Sequence, residues 1–130
     1  MNNNSNFIPI SGILGAFAVT LGAFGAHYLE NILSIEYMKT YTTAINYHFW
    51  HTLVIFGIGI TIQNVDGEYN KFLRYSGLGF IVGIILFSGS LYLIVLTGIS
   101  AFGIITPIGG IILILSWIML ILFGVQSKSD

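Results

Sequence analysis

The residues best suited to chemistry in this sequence are three histidines, His27, His48 and His51. His48 and His51 stand three apart in NYHFWHTLVIFGIGITI (46–62), a spacing that turns both rings to one side of a helix. Imidazoles presented by two helices suit a transition metal or a haem iron. An ionisable cluster within a membrane can instead carry protons or mark a small-molecule path. The third use is structural: hydrogen bonds to backbone, hydroxyls and interfacial water that tie helices together. A metal would draw on His27 and His51, with His48 as a further ligand. Glu30, Glu36 and Met38 are the remaining donors, all in the first loop, and the sequence has no cysteine. The structural use therefore leads; no cofactor is expected, and metal, haem or a lipophilic ligand is the alternative.

Hydroxyls accompany the histidines. FSGSLY (87–92) brings Ser88, Ser90 and Tyr92, and ITPIGG (105–110) brings Thr106. Ser88 and Ser90 have histidines at hand but no carboxylate within a span to orient them, so a hydrolytic set is incomplete. The absence of acidic residues from the spans also removes the usual coupling group of a proton-driven exporter. GLGFIVG (77–83) lacks the Lys-Ser/Thr of a phosphate loop. A non-enzymatic protein is the expectation, with a small oligomeric transporter or channel as a further alternative.

These side chains need a scaffold, and the composition names its solvent. Charged residues make up 7% of the 130, against roughly a quarter in soluble domains. Hydrophobic residues reach 55%. So few charges cannot clothe a soluble globule, which makes lipid the expected surrounding. The net charge of −1 offers no basic face for nucleic acid.

Four apolar segments are each long enough for the roughly 20 residues a membrane helix requires: 7–28, 44–63, 72–97 and 106–125. The expected fold is all-α, a single integral-membrane four-helix bundle of up-down topology covering 1–130. The first segment is longer than a signal-peptide core and has no preceding Lys or Arg, so a retained helix is expected. Four crossings put both termini on one side with Lys71, Arg74 and Lys128, leaving Lys39 opposite, which favours cytoplasmic termini. They also send His27, His48, His51 and most hydroxyls to the other leaflet.

Small residues mark the packing faces, because membrane helices associate through close contact rather than hydrophobic drive. Gly15, Ala18, Gly22 and Gly25 line the first helix, and Gly79 and Gly83 form a GxxxG in the third. Thr106 is placed to cap the fourth helix, Pro107 to occupy its first position, and Gly109 and Gly110 to admit a neighbour. Trp117, beyond the middle of its span, is expected to be buried with its N–H on an acceptor. In the second helix Tyr37, Tyr41, Ala44, His48, His51, Ile55, Ile58 and Ile62 follow alternating spacings of four and three, one face of a bundled helix. A cap at Ser34 would carry its first turns beyond the apolar stretch.

GAFGAH (22–27), TAINYHFWHTL (43–53), LFSGSLYLIVLTG (86–98), ITPIGG (105–110) and SW (116–117) together resemble the family known as domain of unknown function 423. Its members are small bacterial inner-membrane proteins, with the animal transmembrane protein 256 as a relative. The resemblance implies four membrane helices and a place in the bacterial inner membrane, and it supplies no activity. By position His27 and His51 match the family's histidines, while the place of His48 is often Gln in relatives. That exchange suits a polar network better than a metal site. The expected partners are the bilayer and, as alternatives, further copies or a larger membrane complex.

Overall fold

The computed structural model describes residues 6–65 and 70–127. Helix α1 spans Phe7–His27 and leads through a short 3-10 turn, Leu29–Asn31, into α2, Ile35–Thr61. Helix α3 spans Asn70–Thr97, and a second 3-10 turn, Ser100–Ile104, runs directly into α4, Ile105–Gln126. Each helix packs against its neighbour in the chain, giving an up-down four-helix bundle. The polar turn between α2 and α3 falls partly on residues 66–69, outside the described residues, as does Lys128.

Three of the helical stretches are long and apolar enough to cross a bilayer: Phe7–Asn31, Asn70–Thr97 and Ser100–Gln126. Helix α2 is as long but too polar to meet that composition, so the expected second span does not stand out by apolarity. Asn46, Tyr47, His48 and His51 within its apolar stretch are the reason. Ser34 is the cap, its hydroxyl accepting from the Tyr37 N–H at 3.3 Å, and the helix begins well before the apolar stretch at 44.

The face inferred for α2 is the one that turns inward. Tyr41, Ala44, His48, His51, Ile55, Ile58 and Ile62 are all buried; Tyr37, a turn nearer the end, is exposed. Around the lower part of this row Phe7, Leu73, Phe80, Ile84 and Leu113 form the main apolar core, so all four helices contribute. A second cluster of Leu29, Tyr41 and Val95 closes the end that holds the two 3-10 turns.

Glycines set the helix spacing unequally. A Cβ at Gly109 would strike the backbone of Leu86 and Phe87; at Gly79 it would strike Ser116, and at Gly83 the side chain of Leu113. In α1 only Gly25 is so confined, with the Tyr41 ring 2.5 Å from the position of its missing Cβ. Gly15 and Gly22, expected to admit a close neighbour, leave ordinary room at 3.7 Å and 4.0 Å, and so does Gly110 against Phe87. Gly98 ends α3 at φ +72, where a side chain would be strained, while its N–H bonds the Ile94 carbonyl at 2.8 Å.

Helix α4 begins differently from expectation. The preceding 3-10 turn merges into it, so Thr106 lies inside the first turn and caps nothing. Pro107 remains harmless there, because first-turn N–H groups have no helical partner to lose.

Candidate functional site

The polar side chains of the bundle meet across helices, and their directions follow from helix geometry. Side chains lean toward the N-terminus of their own helix, so those of antiparallel neighbours reach toward each other. His48 of α2 and Tyr92 of α3 meet in this way, with Nδ1 and the phenol oxygen 3.0 Å apart. His51 and Trp117 meet between α2 and α4, which run parallel.

His51 is held from both sides. The indole N–H of Trp117 donates to Nε2 at 3.3 Å. An acceptor at Nε2 places the ring's proton on Nδ1, which donates to the Tyr47 carbonyl at 2.6 Å. The imidazole is thus a neutral tautomer with neither nitrogen free. Phe80 and Tyr47 flank it, ring centres 5.4 Å and 5.7 Å away, and Phe80 meets Trp117 edge-on. Trp117 is less enclosed than its sequence position implied: its body stays exposed and only its N–H turns inward.

Above this pair toward the turns stands a succession of bonds. Thr52 donates to the His48 carbonyl at 2.7 Å, and Ser88 reaches from α3 to the Ala44 carbonyl at 2.8 Å. Ser90 and Thr106 join α3 to α4 at 2.6 Å, with Ser90 donating to the Phe87 carbonyl and so accepting from Thr106. Tyr41 ties α2 to the Leu21 carbonyl of α1 at 2.7 Å. On the other side of His51, Ser76 donates to the Ser116 carbonyl at 2.9 Å. Tyr41, Thr52, Ser76 and Ser116 were not singled out as polar ties from sequence. Their signal was their place on inward rows, masked by how readily Ser and Thr serve as small packing residues in membrane helices.

His27 stays outside. It is exposed at the C-terminal end of α1, and the described contact there is the Asn31 amide on its carbonyl at 3.5 Å. The register explains the separation. Gly25 packs on Tyr41 and Gly15 approaches Thr52, which puts His51 level with the middle of α1. His27 is then roughly 15–20 Å from it along the axis. The expected gathering of all three histidines at one depth is corrected accordingly. The pair needed for a metal or haem, His27 and His51, is not brought together. Among the described residues no group of three or more His, Cys, Asp or Glu side chains surrounds a metal-sized space. Glu30 and Met38 line a shallow cavity at the turn end, of about 750 Å³, away from the buried histidines.

Among the described residues two buried side-chain polar atoms have no hydrogen-bond partner, Asn70 Oδ1 at the start of α3 and His48 Nε2. His48 is 4% exposed, and its Nε2 faces the Leu14 carbonyl of α1 without reaching bonding geometry. Leaving such a group unmatched costs about 1–3 kcal/mol.

Residues 21–110 match the family described as Protein of unknown function (DUF423), a stretch that includes His27, His48, His51, Ser88, Ser90, Tyr92 and Thr106. The chain belongs to this family. It is 39% identical to the UPF0382 membrane protein YwdK of Bacillus subtilis, across 92% of this chain and 96% of that one. A UPF0382 membrane protein of Staphylococcus saprophyticus is 40% identical across 89% and 93%. The UPF0382 inner membrane protein YgdD of Escherichia coli is 31% identical across 95% and 93%. No solved structure matches. With its apolar helices and these relatives, the DUF423 chain is an integral membrane protein embedded in lipid.

Proposed function

We propose that this protein is a non-enzymatic structural or accessory membrane protein whose internal hydrogen bonds hold four membrane-crossing helices in one arrangement. The observation that carries the reading is His51, with each ring nitrogen engaged by a protein group. An imidazole so held lacks a free lone pair for a metal and a free site for a travelling proton. Its use is to join α4 to α2.

On this reading α2 crosses the bilayer despite its polarity. Its His, Thr and Tyr side chains at 41, 48, 51 and 52 face the protein and are bonded there, while Phe49, Trp50, Leu53, Phe56 and Ile60 face outward. A composition average charges α2 for polar groups that lipid never meets. His51 then lies near mid-membrane, and His48, Ser88, Ser90, Tyr92 and Thr106 lie in the leaflet away from the termini. Lys71 and Arg74 at the start of α3 support cytoplasmic termini in a bacterial inner membrane.

The test is thermal unfolding of detergent-purified protein carrying His51→Ala. The expected loss is about 1–3 kcal/mol, since Trp117 loses its acceptor and the ring leaves a void. Unchanged melting would overturn the reading.

A further inference from the structure

Opposite the inward row of α2 runs a second row that the bundle leaves exposed. Thr43, Asn46, Trp50, Leu53, Gly57 and Ile60 follow alternating spacings of three and four and turn away from the other helices. Two of them do not suit lipid. The Asn46 amide and the Trp50 indole N–H make no hydrogen bond among the described residues. Thr20, Thr43 and Asn64, which also face outward, fold back on their own helices, donating to the carbonyls of Ala16, Lys39 and Ile60. Asn46 does not.

Depth excludes water as its partner. Gly15 approaches Thr52 and Gly22 approaches Ile45, so Asn46 is level with Leu21 and Gly22 of α1. Helix α1 has 21 residues, a length close to the thickness of the hydrocarbon layer. Asn46 then lies about 8 Å inside the nearer boundary of that layer, and Trp50 lies roughly 6 Å deeper. An Asn side chain is too short to reach water from there, and acyl tails offer neither donor nor acceptor. Trp50, for its part, stands below the aromatic belt where a lipid-facing indole ordinarily sits.

The chemistry of the amide selects the occupant. An Asn side chain carries donor and acceptor together, so its simplest complement is a second Asn. Copies of this chain inserted in one orientation are related by a twofold axis along the membrane normal, which sets each residue of the row level with its own counterpart. Asn46 then meets the partner's Asn46, each amide N–H donating to the other's carbonyl. Trp50 leans toward the N-terminus of its helix and so toward that level, where its N–H finds the remaining lone pair of the partner's Asn46. The spacing is that of a parallel two-helix seam, in which one buried Asn sets the register. A Cβ at Gly57 meets nothing within 4 Å, so packing inside the bundle does not require this glycine, and it admits a close neighbour from outside.

We infer that two copies of the protein pair in the membrane through this face of α2, with Asn46 on Asn46 at the twofold axis. The inference rests on α2 crossing the bilayer and is independent of the bond between His51 and Trp117.

The sequence has no cysteine, so single introduced cysteines report the pairing through oxidation in bacterial membrane vesicles. Leu53→Cys, on the row, should form disulfide-linked dimers at least tenfold faster than Ile13→Cys or Ile85→Cys, which are at least as exposed on α1 and α3. Adding Asn46→Leu to Leu53→Cys should slow the linkage about tenfold, as should adding Gly57→Leu, and both should keep wild-type helix content. Equal rates at the three positions would overturn the inference. So would linkage that survives both substitutions in folded protein, or a product joining this chain only to a different protein. An impermeant maleimide should label Lys39→Cys and Gln63→Cys from opposite sides of the membrane. Labelling of both from one side would overturn the crossing of α2 and the pairing with it, whereas opposite labelling without linkage overturns the pairing alone.

Discussion

The two helix pairs at the ends of the chain are built to different tolerances. Helices α3 and α4 meet through glycine on backbone, with Gly109 against Leu86 and Phe87 and with Gly79 and Gly83 against Ser116 and Leu113. Helices α1 and α2 are tight at their two ends, where Gly25 faces Tyr41 and Gly59 faces Ile8; between those points, at Gly15 and Gly22, they stand at ordinary distance. Lipid gives helices no hydrophobic reason to pair, so the closeness of approach measures the packing attraction directly. By that measure α3–α4 is close along its length, whereas α1–α2 is close at its ends and looser between them. The looser middle of α1 leaves a groove beside α3, lined by Leu14, Phe17, Ile85 and Gly89.

Substitutions sharpen the contrast, beginning where the structure can yield least. Gly109→Val drives a side chain into backbone that cannot step aside and should cost about 3 kcal/mol or more in detergent unfolding. Little effect there would mean that α3 and α4 are not in close contact. Gly83→Ala meets the movable end of Leu113 and should cost about 1–2 kcal/mol by the same assay. Tyr41→Phe removes the one described hydroxyl tie from α2 to the α1 backbone and leaves the ring on Gly25, for a loss of about 0.5–1.5 kcal/mol. Gly15→Ala should be neutral or stabilising by up to about 0.5 kcal/mol, since its methyl finds room and glycine is the poorer helix former. A large loss at Gly15 would erase the distinction between the two halves.

How much of this was legible in the sequence differs by kind of information. The inward row of α2 was, because a spacing of four and three is a property of one helix and needs no knowledge of its neighbours. The GxxxG of α3 was legible for the same reason. The depth of the histidines was not. An apolar stretch starting at Ala44 places His48 and His51 in its first turns beside His27; the cap at Ser34 was legible, but the packing of Gly25 on Tyr41 that fixes the register was not. Both histidines then sit deep in the bundle, one turn apart, and His27 remains at its end. Trp117 was half legible: its N–H finds an acceptor, but its ring faces outward. Thr106 carried a cap signal that the preceding 3-10 turn displaced, freeing its hydroxyl for Ser90. Local periodicity survives in sequence, whereas register between helices comes from where each begins and which side chains collide.

The claim that matters most is that His51 and Trp117 act as a pair joining α2 to α4. A double-mutant cycle reads that pairing directly, using His51→Phe, Trp117→Phe and both together, with unfolding free energy measured by titration with denaturing detergent. A coupling of about 0.5–1.7 kcal/mol is expected, the range of interhelical hydrogen bonds in membrane proteins. Strictly additive losses would contradict the account, leaving the two side chains as neighbours with no bond between them.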